Sequence, residues 1–180
     1  KRGYDFDTEL LEEKLAIASG IISDRLQRKS RKEDIPFLGG GLGMTTRFCD
    51  KYAVPFLQFS GKDGSWPQLV PLAEQMIRQA AVHGFTEQEV GEQLKRADAG
   101  RKNWAKESPT RSSGSYANTL ASLDDEVIRS PEQNLLLWMQ MRPFMTADAI
   151  SAEFAHWYGQ LDDPFIFLST RKGEGIGEQS

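Results

Sequence analysis

The chain has 180 residues, 39% of them hydrophobic and 27% charged, with a net charge of −4, which fits one globular domain or slightly more. That charge disfavours nonspecific nucleic-acid binding, which depends on neutralising phosphates, and no apolar run approaches the roughly 20 residues of a membrane span. The one cysteine, Cys49, excludes an internal disulfide and a cysteine-based zinc site, and the polar, acidic residues 1–9 do not resemble a signal peptide.

Residues 8–29 read as a helix, because Leu11, Leu15, Ala18, Ile22 and Leu26 recur at helical spacing. Asp7 or Thr8 is expected to cap its start, and Arg25, Arg28 and Lys29 sit at the negative end of its dipole. Two strands are expected over 36–48 and 52–60, joined around Asp50-Lys51. The first is made irregular by Gly39-Gly40-Gly41-Leu42-Gly43. The second is apolar on both faces at its centre, with Pro55 arguing for an edge or an early position.

After the turn Gly61-Lys62-Asp63-Gly64, Ser65 is expected to cap a helix over 66–83 with Leu69, Leu72, Ala73, Met76, Ile77 and Ala80 on one face. His83-Gly84-Phe85-Thr86-Glu87-Gln88-Glu89 then forms a joint. Gly84 can take the left-handed conformation that closes a helix, and Thr86 with Glu89 makes a T-x-x-E capping box for the next. That helix, 87–106, carries Val90, Leu94, Ala97 and Trp104 inward and stops before Pro109.

A further helix is expected over 111–124. Ser130-Pro131-Glu132-Gln133 then starts one bearing Leu135, Leu136, Trp138 and Met139. Thr146 caps a last helix with Ile150, Phe154 and Trp157 inward, and 164–169 reads as a short buried strand. The polar, glycine-rich residues 171–180 read as a linker or disordered tail. Three strands are few for this many helices, so a further strand is expected before Lys1 or from a partner.

No catalytic constellation is visible. The two histidines stand far apart, and neither H-E-x-x-H nor H-x-x-E-H, which bring two imidazoles onto one zinc ion, is present. His83 reads as a surface or capping residue at a helix C-terminus. His156 follows Glu153 at the E-x-x-H spacing of carboxylate-bridged metal sites, but the second such motif they require is missing, and packing beside Trp157 explains it better. The glycine run lacks the Gly-Lys-Ser/Thr end of a P-loop. The basic run Arg25, Arg28, Lys29, Arg31, Lys32 could bind an anion or a peptide carboxylate, although cations at a helix C-terminus commonly serve the dipole alone. Ser112, Ser113 and Ser115 have no nearby base to make a nucleophile.

Taken in order, Asp63-Gly64-Ser65-Trp66, Gly84-Phe85-Thr86-Glu87-Gln88-Glu89, Arg111-Ser112-Ser113, Ser130-Pro131, Thr146-Ala147-Asp148-Ala149-Ile150 and Phe165-Ile166-Phe167-Leu168-Ser169-Thr170 resemble the noncatalytic domain of pitrilysin/insulinase-type zinc metallopeptidases. The long bacterial members, built from four related domains, are the nearest in pattern, and the second domain fits best. The resemblance runs from about residue 9 to residue 170. It implies a single α+β domain over 1–170, with a mixed, mostly antiparallel sheet, helices on one face and a half-barrel-like form. Residues 171–180 would then begin the linker to the next half.

The resemblance further implies that zinc, water and general base belong to a catalytic domain of the same polypeptide. This chain should hold no cofactor and be inactive alone, its task being to close the proteolytic chamber and contact extended peptide. Some family members hold substrate with an arginine and a tyrosine in the region Arg28 to Phe37. Arg28, Arg31 and Phe37 are the matching candidates, with Phe37 lacking the tyrosine hydroxyl. Export of the bacterial relatives favours the periplasm over the cytoplasm. The alternative is a noncatalytic assembly subunit of processing-peptidase type, and a third reading is an independent serine hydrolase.

Overall fold

The computed structural model describes residues 5–35, 37–48, 52–107, 129–160, 167 and 169. Its elements are α1 (Phe6–Lys32), β1 (Phe37–Phe48), β2 (Tyr52–Gly61), α2 (Trp66–His83), α3 (Glu87–Glu107), α4 (Pro131–Met141), a 3-10 turn (Arg142–Phe144) and α5 (Ala147–Tyr158). The fold is α+β, with five helices and, among the described residues, a two-stranded antiparallel sheet.

Helix α1 is the spine, packing against β1, α2, α3 and α5. Leu15, Ala18, Ile22 and Leu26 are buried as their spacing requires, and Ile17 and Ile21 widen the stripe. The helix is longer than its apolar period. Asp5, in extended backbone, caps it by accepting the Thr8 amide at 2.8 Å, in place of Asp7 or Thr8. At the other end the Ile35 amide donates to the Ser30 carbonyl (2.9 Å) and Asp34 takes a positive φ of 52°, turning the chain directly into β1.

β1 and β2 pair with Leu42 opposite Leu57 and Gly43 opposite Phe56. The expectation that β2 is apolar on two covered faces is corrected. Pro55, Leu57 and Phe59 are half-buried, whereas Val54 and Phe56, on the other face, are exposed. The Phe56 ring lies over Gly43, where an added Cβ would collide with it, so the glycine seats the aromatic. Ser65 does not cap α2. Its backbone is already helical, and its hydroxyl donates instead to the Lys62 carbonyl at 2.6 Å.

The inner face of α2 is Leu69, Leu72, Ala73, Met76, Ile77 and Ala80, as the period dictates. In α3, Val90 and Leu94 are buried, but Trp104 is 37% exposed because the helix runs past the core. α4 is rotated from its expected setting, with Trp138 and Met141 buried and Leu136 and Met139 in solvent. The Trp138 indole N–H donates to Asp98 of α3 at 2.6 Å, and the Arg101 guanidinium stacks 4.4 Å from its ring, which fixes that rotation. Both halves of the Ser130/Gln133 capping box form, and Thr146 caps α5. On α5, Ile150, Phe154 and Tyr158 point inward, while Trp157 is only half-buried.

The helix expected over 111–124 lies outside the described residues, as does most of 164–169. Within the latter, Phe167 and Ser169 are described. Neither is in a strand, and Phe167 is 82% exposed, so the expected burial does not hold there.

Two substitutions test the core. Phe154 is fully buried between Phe85 (edge-on, 5.2 Å) and Tyr158 (stacked, 5.1 Å). Phe154→Ala is expected to cost about 3–5 kcal/mol in urea denaturation. Gly84 has φ 68° and ψ −155°, and an added Cβ would stand 2.6 Å from the Ser151 hydroxyl. Gly84→Ala is expected to cost at least about 1–3 kcal/mol by the same measurement, from backbone strain together with that clash.

Candidate functional site

The candidate cations lie on the last turns of α1, where the helix meets both the α2–α3 joint and the start of β1. They divide into those held by the fold and those left to solvent. Arg25 belongs to the fold. Its Nε and Nη2 each donate to a different oxygen of Glu89 at 2.7 Å, Nη2 also reaches the Gly84 carbonyl at 3.1 Å, and the guanidinium stands 5.2 Å from the Phe85 ring centre. This is the two-pronged geometry that makes arginine–carboxylate pairs strong.

Glu89 completes the joint. Its carboxylate also accepts the Thr86 amide (3.0 Å) and hydroxyl (2.9 Å), while its own amide donates to that hydroxyl at 3.2 Å. The capping box therefore forms as its residues require, with its acid shared by a neighbouring helix. The Arg25 hydrogen bonds, assisted by Thr86, hold the Glu89 carboxyl down at about 2 against the opposing effect of burial. Ser151 of α5 closes the far side by accepting the Phe85 amide at 2.9 Å.

Lys29 is also engaged, donating to Gln75 of α2 at 2.8 Å. Arg28 projects outward with a side chain 66% exposed; it lies 3.6 Å from Glu89, and its Nε donates to the Asp24 carbonyl. Arg31 is exposed one turn further on. Arg28 and Arg31 are thus helix neighbours three residues apart, on a surface a ligand can reach. Phe37 opens β1 opposite Gly61, but its half-buried ring packs against the core rather than standing free beside the two arginines.

The hairpin is anchored by contacts that periodicity does not signal. Ser19 of α1 exchanges hydrogen bonds with Leu42, accepting its amide at 2.8 Å and donating to its carbonyl at 3.2 Å. The Tyr158 hydroxyl donates to the Gly43 carbonyl at 2.6 Å, and burial pushes that phenol up to about 12. Both partners lie in distant segments, so nothing local could have marked them. A serine on the half-buried flank of an apolar stripe is the one trace available.

His83 and His156 are both exposed, the latter edge-on to Trp157 at 5.1 Å. Among the described residues there is no group of three His, Cys, Asp or Glu able to hold a metal ion, and no helix long and apolar enough to cross a membrane. Ser112, Ser113 and Ser115 lie outside the described residues.

No family model matches the chain, and no curated protein matches it either. Its fold is similar to part of a solved protease. The match is to the crystal structure of a mutant of the ferredoxin protease FusC in complex with Arabidopsis ferredoxin, with a TM-score of 0.50 and 20% identity over 83% of this chain. The chain spans 16% of that protein's length. At this identity the likeness is one of fold.

The Arg25–Glu89 pair gives a pH test. Glu89 falls from an ordinary 4.5 to about 2 on folding, so its stabilisation is complete above about pH 4.5 and is lost as the pH falls towards 2. Arg25→Met keeps the aliphatic stem and removes the charged donors. It is expected to cost about 1.5–3 kcal/mol at pH 7 and to flatten the decline of stability between pH 4.5 and 2, as read by urea midpoints across that range.

Proposed function

We propose that this chain is a noncatalytic domain of a zinc metallopeptidase of pitrilysin/insulinase type. It closes the proteolytic chamber and contacts extended peptide, while another domain of the same polypeptide supplies zinc, water and general base. The observation that carries this reading is the likeness of fold to one segment of a much longer protease, which covers 83% of this chain. The ordered series of motifs from Asp63-Gly64 to Thr146-Ala147-Asp148 supports it independently, since that series marks the same family without H-x-x-E-H.

In this reading the exposed arginines of α1 take the substrate's negative groups. Arg31 is the better candidate, because Arg28 is partly drawn towards Glu89. Phe37 contributes by setting the floor of the elbow, its ring being directed to the core.

Zinc content and peptide cleavage, measured side by side on this chain and on the complete polypeptide, test the reading. The expected result is that the chain alone is inert and metal-free, whereas the complete polypeptide binds zinc and cleaves. Stoichiometric zinc or cleavage in the isolated chain would overturn it. A complete polypeptide without either would favour an assembly subunit. In the active polypeptide, Arg31→Ala is expected to raise KM for an acidic peptide about two- to fivefold with little change in kcat. That matches the roughly 0.5–1 kcal/mol of one exposed charge pair, and added salt should narrow the difference.

A further inference from the structure

The two edges of the β1–β2 hairpin are not equivalent. Leu42 faces Leu57 across the ladder, and both backbone groups of Leu42 are taken by Ser19, on the side away from β2. In an antiparallel pair, facing residues either exchange both their bonds or both turn outward. The Leu57 amide and carbonyl therefore point away from β1. The register is unbroken from Gly39 to Thr45, so the period of two turns Phe59 outward as well. Pro55 shares that side but has no N–H to offer.

The β1 edge is closed at Leu42 by a side chain of α1. The β2 edge offers two amides and three carbonyls, and no other strand pairs with it among the described residues. Edge strands are ordinarily guarded by charges, prolines or bulges. From Tyr52 to Ser60 there is no Asp, Glu, Lys or Arg, and the single proline removes one donor at one end. Side chains flank this edge on both faces, with Val54 and Phe56 exposed by 41% and 44% on one and half-buried Leu57 and Phe59 on the other.

We propose that the outer edge of β2, at Leu57 and Phe59, accepts an extended, uncharged peptide as a third strand. Backbone bonds to Leu57 and Phe59 supply the attachment. The partner's alternate side chains lie beside Val54 and Phe56 above the sheet and beside Leu57 and Phe59 below it. The absence of charge along β2 sets the class: β-branched or aromatic residues gain contact there, while an acidic or basic segment loses hydration with no counter-charge to meet. That the occupant is a peptide substrate rests on the chamber-wall reading; that this edge is open does not.

Amide hydrogen exchange on the full chain, followed by NMR with a blocked Thr-Val repeat hexapeptide as probe, tests this. Without peptide, the Phe56 and Gln58 amides, which face β1, should be protected, and those of Leu57 and Phe59 should exchange freely. Saturating peptide should slow Leu57 and Phe59 by about tenfold or more and leave Leu42 unchanged. The same peptide N-methylated at every amide should have no effect, and Gln58→Lys should weaken the protection by a Lys-containing analogue more than by the uncharged one.

Protection of Leu57 and Phe59 in the free chain would overturn the proposal. If it is independent of protein concentration, the chain's own residues fill the edge; if it rises with concentration, a second copy does. Equal protection by the N-methylated peptide would overturn it too. Peptide protection in a polypeptide that neither binds zinc nor cleaves would leave the edge standing and remove the peptidase reading. Cleavage without protection would do the reverse.

Discussion

The geometry of the helical layer depends on one carboxylate. Glu89 caps α3 through Thr86 and receives Arg25 from α1 through two bonds of 2.7 Å. A capping box alone fixes where a helix begins. A capping box whose acid is held by a second helix also fixes where that beginning sits in space. The same arginine reaches the Gly84 carbonyl, and Ser151 takes the next amide, so α1, α3 and α5 converge on a joint of a few residues. Gly84 is needed there for two reasons. Its backbone angles belong to a region essentially reserved for glycine, and Ser151 occupies the space a side chain would fill.

The hairpin is positioned by the same economy of contacts. A two-stranded sheet is marginal by itself, and this one is secured from below by Leu42, Leu57 and Phe59 against the core. Ser19 and Tyr158 then tie its backbone to α1 and α5. Tyr158 is the more consequential tie, because the same residue stacks on Phe154, at the centre of the core. A shift of α5 is transmitted to β1 through a single hydroxyl.

How much of this was legible follows from the distance between partners. The buried face of α2 could be read residue by residue, since Leu69, Leu72, Ala73, Met76, Ile77 and Ala80 need only the helical period and a core to face. The Thr86/Glu89 and Ser130/Gln133 boxes were equally visible, each partner lying three residues away. The rotation of α4 was not, because hydrophobicity alone cannot rank Leu136 against Trp138. The choice is made by Asp98, on another helix, which satisfies the indole N–H. At the candidate site, the cationic end of α1 was evident, but not its division of labour. Which arginine is structural depends on Glu89, far along the chain, and the packing of Phe37 depends on the turn at Asp34.

That division bears on how the surface can recognise anything. Arg25 and Lys29 are committed to internal partners, whereas Arg28 and Arg31 keep their heads in solvent at the helix end. β2, which follows within the same hairpin, carries no charge from Tyr52 to Ser60. Exposed cations give long-range attraction that salt weakens, while a strand edge gives short-range, directional bonds indifferent to side-chain identity. A surface combining the two can hold chains of varied sequence, drawing in their charged parts at one point and binding their extended backbone at another. A wall that serves unfolded peptides needs that combination, and a nucleophile or a metal of its own is not among its requirements.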